Sequence, residues 1–302
     1  MPDNTYLITV VGATAIGKTA LSIQLAQHFK TEIISCDSRQ FYKEMTIGTA
    51  VPNSDELNAV THHFIQNRSI TEDYNVGQYE RDALEKLDEL FLKHNTVIMV
   101  GGSGLYVDAV LKGLDYFPDV SPEIRQQLNK ELAENGLNSL QDQLKKLDIE
   151  SYNSIEIENP HRVIRALEIC IGTGKAYSYF KNKPKVKRNF TPIKIGLTAE
   201  REIIYNRINQ RVDSMMKNGL LKEAEGLLPN KQLNALQTVG YRELFQFLND
   251  EITLDFAVSE IKKNTRRFAK RQNTWFKKDT EIQWFDYKEN SLKIIESITS
   301  KL

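Results

Sequence analysis

The stretch Leu7-Ile8-Thr9-Val10-Val11-Gly12-Ala13-Thr14-Ala15-Ile16-Gly17-Lys18-Thr19 decides the fold. Residues 12–19 fit the spacing G-x-x-x-x-G-K-[ST], they follow an apolar, β-branched run, and Leu21, Leu25 and Phe29 recur after them at helical spacing. Strand, glycine-rich turn and helix in that order predict a phosphate-binding loop, or P-loop. The glycines let the backbone curl so that the N–H groups of Gly12, Ala13, Thr14, Ala15, Ile16, Gly17, Lys18 and Thr19 converge on one anion. Lys18 adds a mobile positive charge, and the hydroxyl of Thr19 is placed to hold a magnesium ion.

The chain has 302 residues, 40% of them hydrophobic and 26% charged, enough to bury one large core and a smaller lobe. No stretch approaches the roughly 18 apolar residues of a membrane span, and Met1-Pro2-Asp3-Asn4 lacks the basic start of a signal peptide, so a cytoplasmic protein with no membrane partner is expected. Cys36 and Cys170 lie inside apolar runs without metal-ligand spacing and read as buried free thiols. Forty basic and forty acidic residues cancel, so attraction to a polyanion must come from clustering. One cluster lies between Glu260 and Asp279, and a second contains Lys181, Lys183, Lys185, Lys187 and Arg188, which reads as a flexible segment.

Along the first hundred residues, strands at 6–11, 32–35 and 96–100 alternate with helices from 18 and near 77–93. That rhythm predicts an α/β fold: a parallel sheet around the P-loop, flanked by helices. Each strand ends in polar or glycine-rich sequence, namely Gly12, Asp37-Ser38 and Gly101-Gly102-Ser103-Gly104, which should gather at the carboxyl edge where open α/β sheets bind ligands. From Pro118 the pattern turns helical, with Ser121 expected as cap and Pro122 in the first turn. The expected division is a catalytic core of 1–116 and 193–302 with a helical insertion domain at 117–192. Residues 193–197 read as a strand returning to the sheet, with helices thereafter.

Asp37 faces the P-loop across the mouth of such a sheet, where it can act as a base, hold magnesium, or merely cap a turn. Arg39 and Gln40 offer a planar cation and an amide able to read a base edge. Gly101 to Tyr106 is either a tight strand-to-helix turn or a ligand contact. On a helical wheel, Ile261, Phe268, Trp275 and Phe276 share a packing face with Thr265 and Gln272, while Lys263, Arg266, Arg267, Lys270, Arg271, Lys277 and Lys278 spread over the opposite one. Seven cations with almost no interleaved acid repel one another unless phosphates neutralise them, which points to nucleic acid. His62 and His63 are adjacent, lack metal-ligand spacing, and read as structural.

Taken together, the motifs resemble the tRNA dimethylallyltransferases, also called tRNA isopentenyltransferases, of bacterial type. They run in order through nearly the whole chain: GATAIGKT at 12–19, DSRQFY at 37–42, IGTA at 47–50, VGGSGLY at 100–106, PHRVIRALE at 160–168, INQRVDSMMKNGLL at 208–221, VGYRE at 239–243 and TRRFAKRQNTWF at 265–276. The resemblance implies transfer of a dimethylallyl group from dimethylallyl diphosphate to the exocyclic N6 of an adenosine next to the anticodon of tRNA, with release of diphosphate. It implies Asp37 as the catalytic base, Thr19 with Mg2+ and Lys18 on the departing diphosphate, and Ser38, Arg39 and Gln40 around a flipped-out adenosine. It places tRNA contacts on Ser103, Arg125, His161, Arg162, Arg165, Arg242, Lys270, Arg271 and Gln272, and implies an anticodon stem-loop as partner and a monomeric chain. Arg207 and Arg211, one helical turn apart, either neutralise diphosphate or form structural salt bridges. The chain departs from the family pattern at Ala13, Ile16, Thr46, Val51, Ser103 and His161, none of them a proposed reacting group. Three competing readings are a P-loop small-molecule kinase that binds ATP, a non-catalytic nucleic-acid-binding module, and prenyl transfer to a free adenine nucleotide; none of them needs both the P-loop facing a carboxylate and the basic helix.

Overall fold

The structure, a computed structural model, describes residues 4–182 and 187–302. Lys183 and Lys185 of the second basic cluster and the first three residues lie outside the described residues. The chain divides into two compact units, Met1–Lys112 with Arg188–Leu302, and Gly113–Lys187.

In the first unit the order is β1 (Tyr6–Gly12), α1 (Lys18–Phe29), β2 (Ile33–Ser35), α2 (Ser54–Ala59), β3 (His62–His63), α3 (Val76–Phe91), β4 (Thr96–Val100) and α4 (Gly104–Lys112). The second unit holds α5 (Pro122–Leu147), α6 (Ile149–Ser154) and α7 (Pro160–Thr173). The chain then returns to the first through β5 (Thr191–Thr198), α8 (Arg201–Lys217), α9 (Leu220–Leu227), α10 (Tyr241–Leu248), α11 (Leu254–Phe276), β6 (Gln283–Asp286) and α12 (Ser291–Thr299). Among the described residues six strands form one sheet in the order β3-β2-β4-β1-β5-β6, and every neighbouring pair is parallel.

A parallel sheet must be covered on both faces, and the alternation of side chains along β1 supplies both. Ile8 and Val10 pack with Leu21 and Leu25 of α1, Ile204 and Ile208 of α8, and Ile294 and Ile298 of α12. Leu7 and Val11 point the other way, into a core with Leu87 of α3 and Val107 and Val110 of α4. A third, helical core joins Val212, Leu220, Leu244 and Ile261 beyond the sheet's edge.

The helical unit has its own core of Leu128, Leu140, Leu144, Val163 and Leu167. Its longest helix, α5, is interrupted at Gly136, whose φ of 76° lies in the left-handed region. Asp148, 4% exposed, accepts bonds from the backbone N–H and hydroxyl of both Ser151 and Ser178, which ties α6 to the chain after α7. Ser121 occupies the cap position of α5 without a side-chain capping bond, and Pro122 and Glu123 in the first turn favour the helix start instead. Helices dominate after β5, with one further strand, β6, between α11 and α12. This strand is only four residues long and sits on the sheet's edge, where Trp284 rests against Gly196, too short a pattern to read as a strand. Cys36 and Cys170 are buried free thiols. Among the described residues no helix is long and apolar enough to cross a membrane.

Leu25 is fully buried between α1 and the sheet. Leu25→Ala should lower unfolding free energy by about 2–5 kcal/mol. A shift of the urea midpoint at unchanged slope checks this, and an unchanged midpoint contradicts the packing described.

Candidate active site

The loop between β1 and α1 has the curled backbone its sequence predicts. Gly12 takes φ 144° and Gly17 φ 111°, and a Cβ on Gly12 would lie 2.6 Å from the carbonyl oxygen of Leu197 on β5. Ala15 sits at φ 63°, an uncommon conformation for a residue with a side chain. Ala13 and Ile16 are buried in the core, which leaves only their main chain for a ligand and explains why apolar side chains are tolerated there. No acidic side chain occupies the first turn of α1, so its positive end is uncompensated. Lys18 donates from Nζ to the carbonyl of Ala13 at 2.8 Å. Burial lowers its pKa to about 8, against the opposing pull of Asp37.

Two side chains from elsewhere brace this loop. Gln272 of α11, 6% exposed, accepts the N–H of Thr14 at 2.8 Å and donates to the carbonyl of Gly102 at 2.9 Å. The helical wheel places it on the packing face, while the resemblance puts it among the tRNA contacts. Both ends of its amide are instead consumed inside the protein, where it staples the P-loop to the glycine turn after β4. From α8, Arg207 donates to the carbonyl of Ala15 at 2.7 Å, and Arg211 reaches the hydroxyl of Thr14 at 3.5 Å. Among the described residues neither arginine forms a salt bridge, so the structural ion pair is not what holds them. Burial, and next the like charge of Arg207, lower the pKa of Arg211. Desolvated cations around main-chain donors make a strong anion site.

Asp37 follows β2 and accepts the N–H of Arg39 at 3.0 Å. It lies at the junction of two cavities. One, of about 800 Å3, is lined by the P-loop residues Thr14 to Thr19; the other, of about 320 Å3, by Ser38, Arg39, Ser103, Arg242, Phe268 and Arg271 among others. Both are lined by Thr14, Asp37, Thr49, Ala50, Arg211 and Met215. The second is of the size class that holds small ligands.

Ser38 and Ser103 are linked, the backbone N–H of Ser38 donating to Oγ of Ser103 at 3.1 Å, which joins the turn after β2 to that after β4. Arg39 donates to the carbonyls of Asn234 and Ala235, and Gln40 to those of Thr49 and Ala50, so both shape the site through neighbouring loops. Arg242 is exposed at the rim. On α11, Lys270 and Arg271 are exposed, while Lys262 pairs with Asp213, Lys263 with Glu260, and Arg266 hydrogen-bonds the neutral amide of Asn209, so acidic side chains neutralise only the N-terminal end of the basic stretch. In the helical unit, Arg125 and Arg165 share Glu168, Arg162 pairs with Glu156, Arg165 lies over the ring of Phe117, and His161 is exposed at the start of α7. His62 and His63 hydrogen-bond Val60 and Glu32, as structural residues do.

Two expectations about α11 change. Phe268 and Trp275, expected on the packing face, are 39% and 41% exposed. Phe268 lines the smaller cavity under the guanidinium of Arg271, 5.7 Å away, and Trp275 donates to Asp108. The wheel assigned both to the core because a helix that borders a cavity shows apolar residues toward it just as toward a core. The sequence carried one further signal for the 47–50 segment, its IGTA motif, though nothing in its composition indicates that it borders both cavities.

A profile of the IPP transferase family matches residues 40–279 of the chain. The tRNA dimethylallyltransferase of Flavobacterium psychrophilum is 61% identical over 303 residues, covering 98% of this chain and 99% of its own. That of Flavobacterium johnsoniae is also 61% identical over 303 residues, covering 98% of each chain. The crystal structure of the full-length tRNA isopentenylpyrophosphate transferase from Bacillus halodurans matches with a TM-score of 0.74 at 34% identity, covering 99% of this chain and 97% of that one. The family match over most of the chain and the full-length likeness to these enzymes show that the chain belongs to the IPP transferase family.

Proposed function

We infer that the protein is a tRNA dimethylallyltransferase that moves a dimethylallyl group from dimethylallyl diphosphate to the N6 of an adenosine next to the anticodon, releasing diphosphate. The observation that carries this reading is the position of Asp37, on the wall common to the anion cavity and the smaller one. The diphosphate lies on the loop amides, Lys18 and Arg211, and the adenine enters the smaller cavity beside Phe268, whose exposed ring offers a stacking face. The amine lone pair forms a bond to the allylic carbon while that carbon's bond to the diphosphate oxygen breaks. The amine proton passes to the carboxylate of Asp37, and the negative charge that develops on diphosphate is met by groups already turned toward it.

The donor set also fits a magnesium ion. Thr19, in the first turn of α1, lines the anion cavity and offers its hydroxyl to such an ion. Few protein oxygens are what Mg2+ needs when it keeps waters and takes substrate phosphates. When bound, it would neutralise charge on the departing diphosphate. For tRNA we propose contacts from Arg242, Lys270 and Arg271, and from Arg125, His161, Arg162 and Arg165 of the helical unit. An acceptor of this kind implies action in the cytoplasm.

Incubation with dimethylallyl diphosphate, magnesium and an anticodon stem-loop RNA should yield a prenylated adenosine by mass spectrometry, and Asp37→Ala should slow turnover by about 10²–10⁴-fold. Phosphate transfer from ATP without prenylation, or an unchanged rate in the variant, contradicts the reading. Lys18 gives a pH signature. Its protonated form binds the anion better, so affinity for magnesium diphosphate, relative to Lys18→Met, should be level below the pKa of about 8 and fall as pH rises through it. An identical pH profile in calorimetric titrations of the two proteins would place Lys18 away from the anion. Replacing Lys270 and Arg271 together with alanine should weaken RNA binding and flatten its salt dependence by about one to two units of log-log slope. Equal slopes would remove α11 from the RNA surface.

A further inference from the structure

Residues 46–50 form a turn-rich segment whose last two members, Thr49 and Ala50, line both cavities. The segment is part of the wall between them, and it is held from outside. Glu223, in the first turn of α9, accepts the backbone N–H of Thr46 at 3.0 Å and of Ile47 at 2.8 Å on one carboxylate oxygen, and that of Gly48 at 2.9 Å on the other. The hydroxyl of the fully buried Tyr241 donates to the same carboxylate at 2.7 Å. Gly48 lies so close to Tyr241 that a Cβ there would stand 2.5 Å from the ring. At the other end of the segment, Gln40 holds the carbonyls of Thr49 and Ala50, three residues after Asp37. One end of the wall is thus tied to α9 and α10, the other to the turn that carries the base.

We propose that Glu223 is a positioning residue for prenyl transfer: by gathering three successive N–H groups it sets where the wall stands, and so how far the acceptor amine and Asp37 lie from the allylic carbon. The proposal rests on the reading of this site as a prenyl-transfer site. Glu223 lines neither cavity, so it acts through the segment rather than on either substrate. A misplacement of about 1 Å between reacting groups costs about 100-fold in rate without requiring weaker binding, so the effect belongs in turnover.

The test uses the whole chain with Glu223→Gln, which puts an amide donor against N–H groups at constant shape, and Gly48→Ala, which pushes the same segment from the Tyr241 side. Tyr241→Phe, which removes one of the four bonds, serves should either of the others fail to fold. Measured are kcat, the KM values for dimethylallyl diphosphate and anticodon stem-loop RNA, and amide hydrogen exchange over residues 46–50. Faster exchange at 46–48 is expected, with kcat down about 10–100-fold in the first two variants and less in the third, and both KM values within about threefold of wild type. Unchanged exchange, or an unchanged kcat despite faster exchange, overturns the proposal. So does a fall in kcat matched by loss of affinity for both substrates, as a merely structural role would give. Absence of prenyl transfer by the wild-type protein overturns the reaction reading itself and is thereby told apart from failure of the clamp.

Discussion

Parallel pairing of β2, β4 and β1 is the constraint on which the site depends. Because neighbouring strands run the same way, the P-loop, the Gly101–Ser103 turn and Asp37 emerge side by side at one edge. Their spacing is then set by two short cross-links, Gln272 between Thr14 and Gly102, and Ser103 to Ser38. Neither link carries chemistry, yet each fixes a loop that does. Loops at strand ends are otherwise the most mobile parts of such a fold, and a buried side chain that bonds two of them at once removes much of that freedom.

The charges are arranged at some cost to the protein alone. Lys18 and Arg211 are held where burial disfavours their charged forms, and Arg207 adds like charge beside them. An anion bound among them would relieve both effects. The same logic explains the backbone at Ala15, which adopts a left-handed conformation within a loop whose purpose is to turn N–H groups toward one point.

Much of this was legible in local pattern. The G-x-x-x-x-G-K-T spacing after a β-branched run located β1, the loop and α1, and polar residues at the ends of apolar runs located the edge where ligands bind. Features defined by contacts between distant residues were not legible. Gln272 has the helical phase of a core residue, and only the fold reveals that its amide meets two backbone groups. Phe268 shares that phase but borders a cavity, and periodicity cannot separate the two. The charge of Lys262 looked unopposed because its partner, Asp213, lies on another helix. Strand β6 was missed since four residues at a sheet edge give too little alternation.

The register of β1 has a consequence for how the molecule assembles. Tyr6 lies opposite Thr96 on one side and Thr191 on the other, so the strand that carries the anion cradle pairs only with segments far along the chain. Such topology raises contact order and slows folding, because long loops must close before their contacts stabilise them. On the ribosome β1 is made before β5, and until β5 arrives the backbone N–H and C=O groups along one edge of β1 have no strand partner. The sheet around the loop is therefore completed only by the second half of the chain, well after the loop's own residues are made.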